Sequence, residues 1–368
     1  MLNLNIGCDF SSEHIDTIES LLEYQNSKIN RAKITSVYGS PKLGNPFGST
    51  RPSNRETKVD KKTFIKNLKR LNDLGVKINI TLNSLFPHIR NGKNSYDKNV
   101  FDSMHTEHEL YAFVYDISPY VDNWILASPF LIEKFHKWNA LSLHIIISTI
   151  MNVHSISQVL WIKNNWPRVT RICPALFNNR RMLWLAEANS IIPLELLTNE
   201  FCSLGGVECE GLYRQSCYLS QCMDVSWNPM KTCCIESRKK HPEAWLMARF
   251  ILPQWMNIYR KQTGVDNFKI TGRTHTAAYV NMIGKAYIDE KFEGNLLGLW
   301  GHLQATLNKN NWSKEQYLAT DTINIPVAEI EQCIIHFINC TTDDCGIHCR
   351  KCKIKVDNIL RSTNGEKC

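Results

Sequence analysis

"DNFKITGRTHTAAYVNMIGKAYIDEKF", residues 266–292, decides the fold. Its front part, "NFKITGR" (267–273), is a short β-rich apolar run that ends on a glycine turn, which predicts a strand. The part behind it puts Tyr279, Met282, Ile283 and Ala286 at helical spacing, which predicts a helix with that stripe on its core side. A strand followed at once by a helix is one β/α unit. Seven further runs upstream suit strands: "LNLNIGCD" (2–9), "ITSVYGS" (34–40), "KINITLNS" (77–84), "NWILASP" (123–129), "SLHIIISTI" (142–150), "RVTRICPA" (168–175) and "PLELLTNEFC" (193–202). Helical patterns lie between them. In "DKKTFIKNLKRLNDLG" (60–75), Phe64, Leu68, Leu71 and Leu74 share a face and Gly75 is a stop signal; "SPFLIEKFHKW" and "SISQVLWIKNN" have similar periodicity.

Eight alternations of this kind predict an α/β fold, a (β/α)8 TIM-like barrel. Residues 1–300 are expected to form it. A cysteine-rich insertion, loop 202–245, follows the seventh strand, and residues 301–368 make a small cysteine-rich C-terminal extension. A barrel of this type carries its chemistry on the loops after its strands. The polar stretches "GSPKLGNPFGSTRPSNRETK" (39–58) and "SLFPHIRNGKNSYDK" (84–98) fall there, as does the cysteine-rich segment.

Composition narrows the setting. The chain has 368 residues, 43% hydrophobic and 21% charged, in the ordinary globular range. A net charge of +8 without long charge runs suits a solvated basic surface, with RNA the polyanion it leaves open as a partner. The N-terminus "MLNLNIGCDF" lacks a signal core. The most apolar run, "LSLHIIISTIMNV" (141–153), is too short to span a bilayer, so no membrane insertion is expected. A cytoplasmic location is expected. In that reducing compartment 14 cysteines point to metal binding over disulfides.

The cysteines form two groups. "CTTDDCGIHCRKC" sets Cys340, Cys345, Cys349 and Cys352 within 13 residues, close enough to converge on zinc or a second iron–sulfur cluster. Four protein ligands would close such a site, a structural arrangement. "NEFCSLGGVECEGLYRQSCYLSQC" (199–222) and the following "CC" supply Cys202, Cys209, Cys217, Cys222, Cys233 and Cys234, enough for one iron–sulfur cluster or a zinc site at the barrel mouth. Cys8 and Cys173 sit inside strand patterns and are expected in the core.

Other strand-end residues suit an anionic small molecule. Arg51 in "GSTRP" and Arg273 in "ITGRT" can hold a carboxylate bidentately. Asn83, Asn199 and Glu200 end strands and, pointing inward, would orient substrate or water. His275 after the eighth strand and His144 on the fifth are candidate proton carriers, and Lys269 is expected to pair with Glu200. Neither H-E-x-x-H nor G-x-S-x-G occurs.

The stretches "VYGSP…GSTRP" (37–52), "INITLN" (78–83), "ASPFLIEKF" (127–135), "LELLTNEFC" (194–202), "DNFKITGRT" (266–274), "FEGNLLGL" (292–299) and the terminal "CTTDDCGIHCRKC" together resemble the peptidase U-32 (collagenase-like) family over nearly the whole length. The resemblance implies a (β/α)8-type barrel and two alternative activities. One is oxygen-independent hydroxylation of an organic, peptide or RNA substrate by an iron–sulfur oxidoreductase, with prephenate as oxygen donor and a 4Fe-4S cluster on the central cysteines. The other is proteolysis. Cys202, Cys209 and Cys234 match the family's ligand positions. The remaining ligand is Cys217 or Cys222, with Cys222 favoured. A metal-bearing RNA-binding or scaffold subunit is a third reading, and pairing with a related family member in a hetero-oligomer is implied as well.

Overall fold

Each of the eight runs forms a strand: β1 Leu2–Gly7, β2 Ala32–Gly39, β3 Lys77–Leu82, β4 Asn123–Leu126, β5 Ile145–Ile147, β6 Val169–Ile172, β7 Glu195–Leu197 and β8 Asn267–Ile270. The structure, a computed structural model, describes residues 1–29, 31–40, 59–83, 104–138, 141, 143–200, 243–273, 275–300, 324–338 and 351–363. The strands are all parallel and make one sheet in the order β6-β5-β4-β3-β2-β1-β8-β7. The two ends of that sheet meet: Ile172 bridges Leu194, and its N–H donates to the Pro193 carbonyl at 3.0 Å. The sheet therefore closes as a (β/α)8 TIM-like barrel.

Helices cover its outside: α1 Ser12–Asn26, α2 Lys61–Asp73, α3 Met104–Ile117, α4 Pro129–Lys137, α5 Ile156–Asn165, α6 Met182–Ile191, α7 Ala244–Met247, α8 Met256–Thr263 and α9 Ala277–Ile288. Local sequence fixes their ends. Asp60 caps α2 by accepting from Thr63 N at 2.9 Å, and Gly75, at φ 73°, takes the left-handed turn that releases β3. Ser155 and Gln158 form a capping box on α5, and Thr276 caps α9. One residue of the expected α9 stripe is misplaced. Met282 is 39% exposed, and the buried face is Tyr279, Val280, Ile283 and Tyr287. A strip at i, i+1, i+4 and i+8 turns Met282 outward while keeping the aromatic anchors inside.

Two sets of side chains are buried apart from each other. The outward strand residues, among them Leu2, Leu4, Ile6, Ile78, Ile80 and Trp124, join the helices in one large apolar shell. Inside the barrel a separate trio, Tyr38, Ile125 and Ile146, fills one side, and Cys173, Leu176 and Leu197 form another small group. Cys8 and Cys173 are both fully buried, as their strand patterns imply. His144 is exposed and lies just before β5, because β5 begins only at Ile145; it does not face the lumen.

The described part of the C-terminal extension is helical: α10 Val327–Glu331, α11 Ile334–Ile338 and α12 Lys351–Thr363. Phe337, Cys352, Val356 and Ile359 join the apolar shell of the barrel. Arg180, buried just past β6, lies 4.1 Å from the Phe337 ring centroid and donates to the carbonyls of Leu246 and Ala248. The guanidinium thus ties the extension to the chain returning from the cysteine-rich insertion. Among the described residues no helix is long and apolar enough to cross a membrane.

Candidate active site at the barrel mouth

Because all eight strands run the same way, the residues after their C-terminal ends share one face. Asn83 follows β3 there, Asn199 and Glu200 follow β7, and Arg273 and His275 follow β8. Asn83 and Arg273 are buried, and Glu200 and His275 are half-buried. Arg51, Cys202, Cys209, Cys217, Cys222, Cys233, Cys234, Cys340, Cys345 and Cys349 lie outside the described residues. Cys352 is described: it is buried, on the first turn of α12.

Asn199 is a clasp between strands. Its Nδ2 donates to the Thr271 carbonyl at 3.0 Å and to the Tyr279 hydroxyl at 3.0 Å, while its Oδ1 accepts from Thr271 N at 2.6 Å. Tyr279 in turn donates to the Leu299 carbonyl at 2.8 Å. The side chain is held by β8 and α9, so it orders the mouth from the wall. The insertion is anchored beside it. Ile251 N donates to the Thr198 carbonyl at 2.7 Å, and Asn179 Nδ2 donates to both the Leu197 and Arg249 carbonyls, at 2.8 and 2.9 Å. The segment between residues 199 and 250 therefore starts and finishes at the same point of the rim.

His14, which sequence reading passes over, supports the opposite side of the β8 turn. Its Nε2 lies 3.0 Å from the His275 carbonyl, and since a carbonyl only accepts, that nitrogen carries the hydrogen. Nδ1 takes the Asp9 backbone N–H at 3.1 Å, with the Asp9 carboxylate 3.3 Å away. The ring of His275 packs against Tyr279 at 4.7 Å.

Lys269 does not pair with Glu200 as expected. Its Nζ is 3.8 Å from Oε2 of Glu195, the first residue of β7, and 4.1 Å from the Tyr38 ring centroid. Glu195 is fully buried and anchors a polar lumen. Oε1 accepts from Asn5 Nδ2 at 3.0 Å and from Arg171 at 3.1 Å; Asn79 donates to Asn5 at 3.3 Å and Asn123 to Asn79 at 2.8 Å. Glu200 stands beyond the end of β7, whereas Glu195 shares the register level of Asn267 and points inward beside Lys269, so geometry selects it. Burial pushes the Lys269 ammonium below the ordinary lysine range; Glu195 opposes this, and Arg273 and Arg171 reinforce it. Burial likewise raises the Cys173 thiol to about 12, and it raises Cys8 as well, which makes both poor nucleophiles.

The only sequence signal for this lumen is the polar residue at every second strand position, as in Asn3 and Asn5 of "LNLNIG".

No family model matches the chain. Over 187 residues it is 25% identical to an uncharacterized protease of Methanocaldococcus jannaschii, the match covering 49% of this chain and 53% of that protein. The chain thus spans about half the length of the curated relative it matches. Among solved structures, that of a U32 peptidase superposes with a TM-score of 0.47 at 11% identity, over 74% of this chain and 93% of the other. A GH113 beta-1,4-mannanase superposes with a TM-score of 0.35 at 12% identity, over 78% of this chain and 98% of the other. By its motifs, and with that curated protease as a relative, the chain resembles the peptidase U-32 (collagenase-like) family.

Proposed function

We propose that this chain is an enzyme whose barrel mouth takes a small anionic substrate, and that it is an iron–sulfur oxidoreductase that hydroxylates without dioxygen. The observation that carries this reading is the closed excursion of the cysteine-rich segment. Thr198 and Ile251 are hydrogen-bonded to each other, and Asn199 is bonded to Thr271, two residues before Arg273. Cys202, Cys209, Cys222 and Cys234 all fall within that excursion, and four thiolates are the donor set an iron–sulfur cluster needs. A cluster held by them would supply one-electron chemistry and a Lewis-acidic iron. The remaining work falls to the chain itself. Arg273 supplies a guanidinium fork for a substrate carboxylate. Asn83 orients it, and Glu200 and His275 exchange protons at the rim. The buried lumen below keeps bulk water from entering through the barrel floor. Prephenate, which carries two carboxylates, fits this class of donor.

The test is elemental analysis of anaerobically prepared protein for iron, zinc and labile sulfide, repeated with Cys202→Ala. Iron and sulfide in the parent and a clear loss in the variant are the expected result. A protein that holds neither after reconstitution with iron and sulfide rules the reading out. Zinc in the C-terminal cysteines would appear in the same measurement.

A peptidase is the second reading, favoured by the description of the curated relative as a protease. Among the described residues, the buried thiols of Cys8 and Cys173 are pushed up and are poor nucleophiles for such a reaction. Incubation with gelatin and short peptides, with and without oxygen, separates the two. Cleavage that survives iron removal supports the peptidase.

A further inference from the structure

The lumen beneath the mouth contains a primary amine that the reading above leaves unused. Lys269 is at the level of Asn5 on β1, and Asn5 at the level of Ser36 on β2. Its Nζ nevertheless lies against the ring of Tyr38, two residues nearer the mouth, so the side chain rises toward the opening. The side chain is 7% exposed, nearly but not wholly sealed. Glu195 Oε2, at 3.8 Å, is within ion-pair range but too far for a hydrogen bond. Among the described residues nothing else accepts from Nζ. Two hydroxyls at the same end of the barrel, Ser40 Oγ and Thr81 Oγ1, are also buried without a hydrogen-bond partner. Buried polar atoms of this kind are ordinarily completed by an ordered water or by a ligand.

The charges around the amine favour its free form. Lys269 and Arg171 share the buried carboxylate of Glu195, Arg273 adds a further positive charge nearby, and burial keeps the neighbouring Cys173 thiol in its protonated form. A desolvated amine beside other cations is the usual form of an activated lysine nucleophile. An iminium on the same nitrogen would carry a single positive charge. It would keep both the Glu195 pair and the contact with the Tyr38 face. Arg273 follows in the turn after β8, and its guanidinium suits a carboxylate.

We propose that Lys269 is a covalent binding residue that condenses with a small 2-oxo acid entering from the barrel mouth. The Nζ lone pair forms a bond to the carbonyl carbon, and the carbonyl π pair moves to oxygen. That oxygen leaves as water with the two amine hydrogens, and one proton taken up gives the iminium. No oxidant or reductant takes part. The proposal rests on the lumen alone and is independent of whether the cysteines hold iron.

The full-length protein is incubated with pyruvate or glyoxylate and sodium cyanoborohydride, digested with trypsin and mapped by mass spectrometry. Reduction fixes the imine as a secondary amine and blocks cleavage after Lys269, so a modified peptide spanning 262–273 is expected. Its labelling should exceed that of the exposed Lys62 and Lys291 by about tenfold. Lys269→Met should abolish that peptide; if the variant does not fold, the map of the parent protein decides alone. Labelling confined to exposed lysines, or equal at all of them, overturns the proposal. Iron measured on the same preparation keeps this outcome separate from the fate of the cluster.

Discussion

A methyl group on Gly7 would stand 2.4 Å from the backbone nitrogen of Arg273 and 3.0 Å from its Cα. β1 and β8 therefore meet at the rim with no space between them, and the position of Arg273 depends on the missing side chain of Gly7. Both atoms that would be struck are backbone, so the clash cannot be relieved by a rotamer change. Gly7→Ala is expected to destabilise the fold by about 1–3 kcal/mol and to weaken binding of small dicarboxylates more than that loss explains. Urea denaturation and calorimetric titration read the two effects. An unchanged denaturation midpoint would contradict the packing.

The buried amine makes a second expectation, in stability against pH. The Lys269 pKa in the fold is below its ordinary 10.5. Between those two values the unfolded chain binds more protons than the folded one, so stability from this group rises with pH across the window and stops rising above 10.5. Lys269→Met removes the group and should flatten that slope. Urea midpoints for both proteins, taken between about pH 7 and about pH 10, give the comparison. Parallel curves would show that Lys269 titrates as if it were in water.

The shell of the barrel was open to reading from the sequence and its lumen was not, for one physical reason. In "LNLNIG" the apolar residues Leu2, Leu4 and Ile6 alternate with Asn3 and Asn5, which marks a strand with one buried face. The pattern does not say where the polar face looks. In an open sheet it would meet water; here Asn5 is 2% exposed and bonded to Glu195 on a strand 190 positions away. Contacts of that sequence separation leave no local trace, so Glu200, nearer the expected mouth, stood in for Glu195 as the partner of Lys269. His14 was passed over for a similar reason. It sits on the buried face of an ordinary amphipathic helix, and its partner His275 is 261 positions distant. The position of Arg273, Asn83 and Glu200 on one face was legible because strand ends in a parallel barrel share a face by topology.

Arg180 provides a test of how the extension and the insertion are joined. Its Nη2 reaches the Leu246 and Ala248 carbonyls at 2.6 and 2.5 Å, and its charge rests on Phe337. Arg180→Met keeps the bulk and loses the donors, leaving two buried carbonyls without that partner. A loss of about 3 kcal/mol is expected, with faster amide exchange in residues 243–250 and 334–338. If exchange rises in only one of these segments, the guanidinium is not the link between them.

His14 is expected to act as a brace for the β8 turn. Nδ1 takes the Asp9 N–H and Nε2 donates to the His275 carbonyl, so the ring joins the end of β1 to the turn that carries Arg273. His14→Ala removes both bonds from a site that is 2% exposed and should cost about 2–4 kcal/mol, part of it from the cavity. His14→Gln keeps a donor near the Nε2 position and should recover part of that loss. The distinguishing readout is local. Amide exchange in residues 271–276 should quicken in the alanine variant and be partly restored in the glutamine variant, at a denaturant concentration where both remain folded. If the two variants quicken the turn equally, the bond to the His275 carbonyl is not what holds it, and His14 contributes by filling space alone.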